Sequence, residues 1–266
     1  MKPSSAYLLV SHGSRDPRPQ IAIEHLAKLV AQRLSGVGLS LAAAGTGERS
    51  GSLAQAAAIP VGTAVLELGP LPLHQQIQNF ARTIAAQGYQ QLHLVPLFLL
   101  PGVHVMEDIP QEVRLAQSAL PADLSDLTVQ ICPYIGCHPQ LKHLLINPID
   151  PIATSSNAGK ILLAHGSRRP KGNVPVESIA ADLNALPAYW SVPPNLETQL
   201  SRLIKQGYQQ IAILSYFLFE GGITDAIAQA VDRLTQQYPY GQIQLGQPIG
   251  ATPALADLIV EIIAAE

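Results

Sequence analysis

The chain has 266 residues, of which 47% are apolar and 13% are charged, and its formal net charge is −3. This length allows one large domain or two ordinary ones, and the composition supports a substantial apolar core. The sequence has no basic tract, only two cysteines and no run of about 18 apolar residues, which argues against nucleic-acid binding, a secreted disulfide framework and a membrane span. We therefore expect a cytoplasmic protein.

Predicted strands and helices alternate along the first half of the chain. Short apolar runs indicate the strands, and apolar residues that recur every three or four positions indicate the helices. The predicted strands span residues 7–10, 63–68, 92–100 and 127–132, and the predicted helices span residues 21–34, 73–87, 109–120 and 139–146. This alternation predicts an α/β fold with a doubly wound parallel sheet flanked by helices on both faces.

Two stretches interrupt this pattern. Residues 34–60 are rich in Gly, Ser and Ala, and we interpret them as a low-complexity insertion that is partly mobile. Residues 147–159 are rich in Pro, Ser and Asn and lack periodicity, so they are predicted to form a linker. The sequence thus predicts a first lobe at residues 1–146 and a second lobe at residues 160–266.

The second lobe repeats the first. The motif His12-Gly13-Ser14-Arg15 recurs as His165-Gly166-Ser167-Arg168, residues 87–104 recur as residues 206–223, and residues 135–139 recur as residues 249–253. Three matches in the same order indicate an internal duplication, whose period is far too long for a solenoid. We predict two similar lobes that pack as a pseudo-dimer, and therefore a monomeric protein.

Three titratable side chains follow predicted strands of the first lobe. His12 follows the first strand, Glu67 ends the second, and His104 comes soon after the third. The carboxyl ends of parallel strands meet at one edge of the sheet, where such folds bind their ligands. Two imidazoles and a carboxylate suit a divalent first-row metal with open coordination positions, and a neutral histidine also suits proton abstraction. The alternative is that these histidines are hydrogen-bonded structural residues.

The second lobe provides an internal control for this interpretation. Alignment of the repeats puts His165 opposite His12, Ile223 opposite His104 and Trp190 opposite Glu67. Isoleucine neither binds a metal nor transfers protons. We therefore expect the first lobe to carry the chemistry and the second lobe to act as a lid, a wall or a packing partner.

The sequence resembles the sirohydrochlorin chelatases in the His-Gly-Ser-Arg motif, in the segment from Pro96 to His104, and in the Glu-Asp-Ile-Pro tail that ends at Pro110. The resemblance covers most of the chain outside the insertion and the linker. It implies a pair of chelatase-like α/β lobes and the insertion of cobalt or ferrous iron into an early tetrapyrrole, for sirohaem or cobalamin. It also implies that His12 and His104 bind the incoming metal and that one of them accepts a proton, while Glu67 matches a glutamate after the second strand of the family.

The resemblance further implies the partners of the site. These are sirohydrochlorin and Fe²⁺ or Co²⁺, with the metal as a substrate and no permanently bound cofactor. Glu67 and Arg15, with Arg18 as a second cation, are the expected polar contacts of the tetrapyrrole. Its macrocycle face is expected to pack on an apolar loop that consists of Leu99, Leu100, Pro101, Gly102 and Val103. Because the chain has no glycine-rich nucleotide loop, we expect the reaction to be independent of ATP.

Other interpretations remain open from the residues alone. The protein could be a carrier that binds and releases a tetrapyrrole or a metal without chemistry. A phosphohistidine phosphatase would use His12 as a nucleophile, but that class requires an Arg-rich phosphate pocket. Metal ligation by Cys132, Cys137 and His138 is a further alternative; their spacing matches no common zinc pattern, and we interpret the thiols as structural.

Overall fold

The computed structural model describes residues 5–43, 58–146, 151–239 and 241–265. In chain order its strands are β1 (Ser5–Ser11), β2 (Val61–Val65), β3 (Gln91–Pro96), β4 (Thr128–Ile131), β5 (Gly159–Ala164), β6 (Leu186–Tyr189), β7 (Gln210–Tyr216) and β8 (Gln242–Leu245). Its α-helices are α1 (Pro17–Ala43), α2 (Leu73–Ala85), α3 (Ile109–Ser118), α4 (Pro151–Thr154), α5 (Val174–Asp182), α6 (Leu196–Lys205), α7 (Gly222–Gln237) and α8 (Pro253–Ala264).

The strands form two parallel four-stranded sheets with the same connectivity. The first sheet has the order β2-β1-β3-β4 and the second has the order β6-β5-β7-β8. In each sheet the strand order reverses between the first and third strands of the repeat, which is the switch point at which doubly wound folds bind ligands. The predicted fold, an α/β protein with two similar doubly wound lobes, is confirmed.

Each sheet has its own apolar core. In the first, Leu8 and Leu94 point from neighbouring strands towards Ile77 of α2 and Ile109 of α3. In the second, the strands and helices α6 and α7 bury a corresponding set, which comprises Ile161, Ile213, Leu200 and Ile227. Full burial of one such side chain contributes about 1.5–3 kcal/mol, so each core can stabilise its own sheet.

The contacts within the molecule divide it into two compact units. Unit 1 comprises residues 1–98, 103–138 and 251–266, and unit 2 comprises residues 99–102 and 139–250. Helix α8 therefore belongs to unit 1, where it packs against α1 and where Arg33 forms an ion pair with Asp257. This division differs from the predicted boundaries at residues 146 and 160, because the apolar face of α8 is buried and the helix packs against α1.

Several predicted element boundaries are wrong. The third strand ends at Pro96 rather than at residue 100, because its neighbour β1 ends at Ser11 and the last backbone pair joins the Leu97 N–H to the Val10 carbonyl. Residues 139–146 do not form an α-helix, since Pro139–Leu145 is a 3₁₀ helix.

The predicted insertion and the predicted linker are both partly helical. Helix α1 continues through Ala43, so the first part of the predicted insertion at residues 34–60 is regular structure, and residues 44–57 lie outside the described residues. In the predicted linker, residues 147–150 also lie outside them, Pro151–Thr154 forms a short helix, and Gly159 already begins β5. No helix of the described chain combines the length and the apolarity needed to cross a membrane.

Candidate metal centre

His12, Glu67 and His104 come together at the carboxyl edge of the first sheet. One possible ligand atom from each side chain lies within 4.8 Å of the other two. His12 Nε2 is 3.9 Å from Glu67 Oε2, and the two imidazole rings meet edge to face with 4.7 Å between their centroids. The side chains of His12 and Glu67 are about half exposed, at 49% and 52%. The cluster is therefore open to an incoming ligand.

A glycine turn brings the first two side chains together. The backbone pairing of β1 and β2 continues beyond both strands, because the Leu66 N–H donates to Ser11 and the Glu67 N–H donates to His12, at 2.8 and 2.9 Å. Gly13 then turns the chain with φ +98°, a conformation that favours glycine. A Cβ at Gly13 would lie 1.9 Å from the Glu67 carbonyl oxygen. The close approach of these two backbone segments therefore requires a residue without a side chain.

His104 begins a single π-helical turn, His104–Asp108, that leads into α3. Its Nδ1 lies 2.8 Å from Asp108 Oδ2, while Nδ1 of His12 lies 3.2 Å from the Gly13 carbonyl oxygen. A carbonyl or carboxylate oxygen only accepts hydrogen bonds, so we assign the proton of each neutral ring to Nδ1. Each imidazole thereby keeps its Nε2 lone pair for a metal, and a partner on the other nitrogen orients the ring.

The backbone pairing corrects one feature of the repeat alignment. In unit 2 the Trp190 N–H donates to Ala164 and the Ser191 N–H donates to His165. The second pair corresponds to the pairing of Glu67 with His12, so Ser191, and not Trp190, lies at the position of Glu67. The loop that leads to α6 is one residue shorter than the loop that leads to α2, and an alignment anchored on the two helices is displaced by that residue. Unit 2 still lacks the carboxylate.

The π-helical turn is a one-residue insertion relative to unit 2. Strand pairing aligns His104 with Ile223, five residues before Ile109. The buried faces of the following helices align Ile109 with Ile227, which comes only four residues after Ile223. The extra residue produces the i+5 hydrogen bond from the Ile109 N–H to the His104 carbonyl. Such turns are frequent at functional sites.

The other residues that were predicted to contact the tetrapyrrole are divided between the two units. Arg15 is exposed, whereas the Arg18 guanidinium binds the Asp16 carboxylate with Nη2 2.6 Å from Oδ2 and lowers the pKa of that carboxyl through these hydrogen bonds. Leu99, Leu100, Pro101 and Gly102 are half-buried residues of unit 2, and Val103 is a half-buried residue of unit 1.

The three candidate ligands Cys132, Cys137 and His138 do not form a metal-binding group in the described structure. Cys132 is buried, the Cys137 thiol donates to the Tyr134 carbonyl at 2.9 Å, and His138 Nε2 lies 3.4 Å from Glu261 Oε2. These contacts favour the structural interpretation of the thiols.

Sequence reasoning missed two side-chain contacts of unit 1. The contact of Asp108 with His104 has a signal in the sequence, because residues four positions apart face each other on a helical turn. The second contact joins His74 Nδ1 to Glu112 Oε2 at 2.8 Å. No pattern in the sequence links these two residues, which are 38 positions apart.

A family model and two named relatives match this chain. The CbiX family model matches residues 6–151 and 159–266. The chain is 24% identical to the sirohydrochlorin ferrochelatase of Priestia megaterium over 159 residues, which is 56% of this chain and 58% of that protein. It is also 24% identical to the sirohydrochlorin cobaltochelatase of Priestia megaterium over 192 residues, which is 67% of this chain and 61% of that protein. The match thus spans about three fifths of the length of both relatives.

A solved structure has the same fold. The structure of SirB from Bacillus subtilis with Fe³⁺ superposes with a TM-score of 0.72 at 21% sequence identity, and the match covers 98% of this chain and 94% of that one. The fold is therefore shared over nearly the full length of both proteins.

Proposed function

Because the chain belongs to the CbiX family, whose model matches both of its lobes, we propose that it is a sirohydrochlorin chelatase. It would be a lyase that inserts Fe²⁺ or Co²⁺ into sirohydrochlorin, releases two protons and uses no nucleotide. The observation that carries this proposal is the open cluster of His12, Glu67 and His104 at the switch point of the first sheet. The named relatives, a ferrochelatase and a cobaltochelatase, support the same reaction.

The ligand set suits a metal that must be handed on. Fe²⁺ and Co²⁺ both accept imidazole nitrogens and carboxylate oxygens. Three protein ligands leave coordination positions open, whereas a closed site with four ligands would retain the ion. In this proposal the pyrrole nitrogens enter at the exposed side of His12 and Glu67 and replace the protein ligands one after another.

Insertion also requires two pyrrole N–H protons to leave. The Nε2 lone pair of His12 first holds the metal and, once the metal has moved to the macrocycle, is free to accept one of these protons. The other proton leaves to solvent at the exposed side of His12 and Glu67. Glu67 Oε2, 3.9 Å away, would stabilise the imidazolium that forms. His104 keeps its ligand orientation throughout because Asp108 holds its Nδ1 proton.

The substrate contacts remain proposals of the same kind. Arg15, exposed three residues after His12, is suited to a carboxylate of the tetrapyrrole. The half-buried loop of Leu99, Leu100, Pro101, Gly102 and Val103 offers apolar surface to the macrocycle. Leu68 and Met106, which follow Glu67 and His104 closely in the chain, are 58% and 60% exposed and offer further apolar side chains to the macrocycle.

The test is metal insertion followed by visible absorbance, with sirohydrochlorin in large excess over the protein. We expect many turnovers per protein molecule with Fe²⁺ or Co²⁺, and loss of turnover in His12→Ala. An absorbance change that stops at one equivalent of substrate would replace the enzyme by a carrier. Hydrolysis of a generic phosphate ester, lost in His12→Ala, would instead indicate a phosphatase.

A further inference from the structure

We propose that Glu112 and His74 are positioning residues for the metal centre. They would hold the loop that carries Glu67 at a set distance from the turn that carries His104. This inference rests on the proposed function, because it takes His12, Glu67 and His104 as the residues that hold the metal.

The contact itself is compact and charge-assisted. A single carboxylate oxygen, Glu112 Oε2, accepts the backbone N–H of His74 at 2.7 Å and its ring Nδ1–H at 2.8 Å. The two side chains are only 26% and 22% exposed. Hydrogen bonds to an ionised group are shorter and stronger than neutral ones, and low exposure reduces competition from water.

The contact completes the start of α2. The residue before this helix is Pro72, which provides no side-chain cap. The first N–H groups of a helix have no partner within it, and a side chain normally accepts one of them. Glu112, from the first turn of α3, supplies that acceptor across the interface between the two helices.

Each helix is joined closely to a metal-binding residue. The Gln76 amide of α2 accepts from the Val65 N–H at 3.1 Å and donates to the Val65 carbonyl at 2.8 Å, which fixes the helix to the end of β2, two residues before Glu67. On the other side, α3 continues directly from the π-helical turn of His104. The Glu112–His74 contact therefore closes a chain of contacts between the two ligands.

Unit 2 shows that the fold does not require this contact. There α6, the counterpart of α2, is capped by its own Asn195, whose Oδ1 accepts the Thr198 N–H at 2.9 Å. The position of His74 is taken by Glu197, and the buried faces of α3 and α7 place Ala230 opposite Glu112. Among the described residues, the contact occurs only in the repeat that carries all three candidate ligands.

The test compares Co²⁺ binding by the full chain, titrated by visible absorbance without sirohydrochlorin. Glu112→Ala should raise the Kd for Co²⁺ by about 3–10-fold, less than the roughly 10–100-fold effect of partners bonded directly to a ligand. Glu112→Gln keeps an oxygen that can accept the His74 N–H, and it should recover part of the affinity. In turnover assays Glu112→Ala should raise the KM for the metal by a larger factor than the KM for sirohydrochlorin.

Asn195→Ala is the matched control, because it removes a helix cap from the corresponding helix of unit 2. It should lower the unfolding midpoint and leave the Kd for Co²⁺ at the wild-type value. If Glu112→Ala also lowers only the midpoint and keeps the wild-type Kd, the inference is overturned. If that variant does not fold, a wild-type Kd in His74→Ala, which removes the ring donor to Glu112, overturns it. A wild type that binds Co²⁺ but shows no turnover would refute the proposed function, while the comparison of Kd values would still decide this inference.

Discussion

Removal of the Asp108 carboxylate tests how the protein prepares His104 for a metal. In Asp108→Ala the Nδ1–H of His104 loses the acceptor that lies 2.8 Å away, so the ring is free to rotate and to exchange tautomers. A charge-assisted hydrogen bond is worth about 1.5–3 kcal/mol. Because the two side chains are 33% and 39% exposed, solvent screening reduces this to about 1–2 kcal/mol. That free energy corresponds to a rise of about 5–30-fold in the Kd for Co²⁺.

The assay is a Co²⁺ titration of the full chain followed by visible absorbance. Asp123→Asn serves as the control, because it makes the same change in net charge at an exposed position of unit 1 outside the π-helical turn. It should bind Co²⁺ like the wild type. An unchanged Kd in Asp108→Ala would refute the assignment of Nε2 of His104 as an oriented metal ligand.

Three further predictions concern the turn at Gly13, the buried Tyr189 of unit 2 and the Cys137 thiol of unit 1. Gly13→Ala should destabilise the fold by about 1–3 kcal/mol in urea unfolding and weaken Co²⁺ binding, because its Cβ would collide with the Glu67 carbonyl at a positive φ. The Tyr189 hydroxyl is buried with no hydrogen-bond partner among the described residues, and burial, with a smaller effect of Glu177, raises the pKa of Tyr189 to about 12. Tyr189→Phe should therefore leave the free energy of unfolding unchanged or raise it by up to about 1 kcal/mol. Partial burial raises the pKa of the Cys137 thiol, so its alkylation by iodoacetamide, followed by peptide mass, should reach half-maximal rate at a higher pH than that of free cysteine.

Each of these predictions has a contrary result. Wild-type stability in Gly13→Ala would show that the segments at Gly13 and Glu67 can move apart without a loss in the free energy of unfolding. A clear loss of stability in Tyr189→Phe would mean that its hydroxyl has a partner. Alkylation of Cys137 at or below the pH of free cysteine would mean that its sulfur is not desolvated.

Much of the fold follows from regularities that the sequence displays directly. The alternation of apolar runs with helical periodicity defines parallel strands, and the repeated motifs define two lobes of the same connectivity. The meeting of His12, Glu67 and His104 was predictable for the same reason, since parallel strands place their carboxyl ends at one edge. The roles of these residues stay a prediction until metal binding is measured.

Other features depend on one-residue differences between the two repeats or on contacts between segments that are distant in the sequence. Ser191 takes the place expected for Trp190 because one loop is a single residue shorter, which periodicity does not register. The π-helical turn of His104 is likewise a one-residue difference between similar helices. The pairing of His74 with Glu112 depends on how α2 and α3 pack, and the sequence contains no pattern that predicts it. The packing of α8 in unit 1 similarly joins the two ends of the chain.

The central claim, that unit 1 inserts a metal through His104 on a scaffold that does not need this histidine, is tested most directly by His104→Ile. This variant introduces the residue that unit 2 carries at the same position, where Ile223 is 43% exposed. Insertion of Fe²⁺ and Co²⁺ into excess sirohydrochlorin is measured for wild type and variant, together with their unfolding midpoints. We predict repeated turnover by the wild type and, in a variant that unfolds at the same midpoint, a rate lower by about 100-fold or more. Turnover at the wild-type rate in folded His104→Ile would contradict the account.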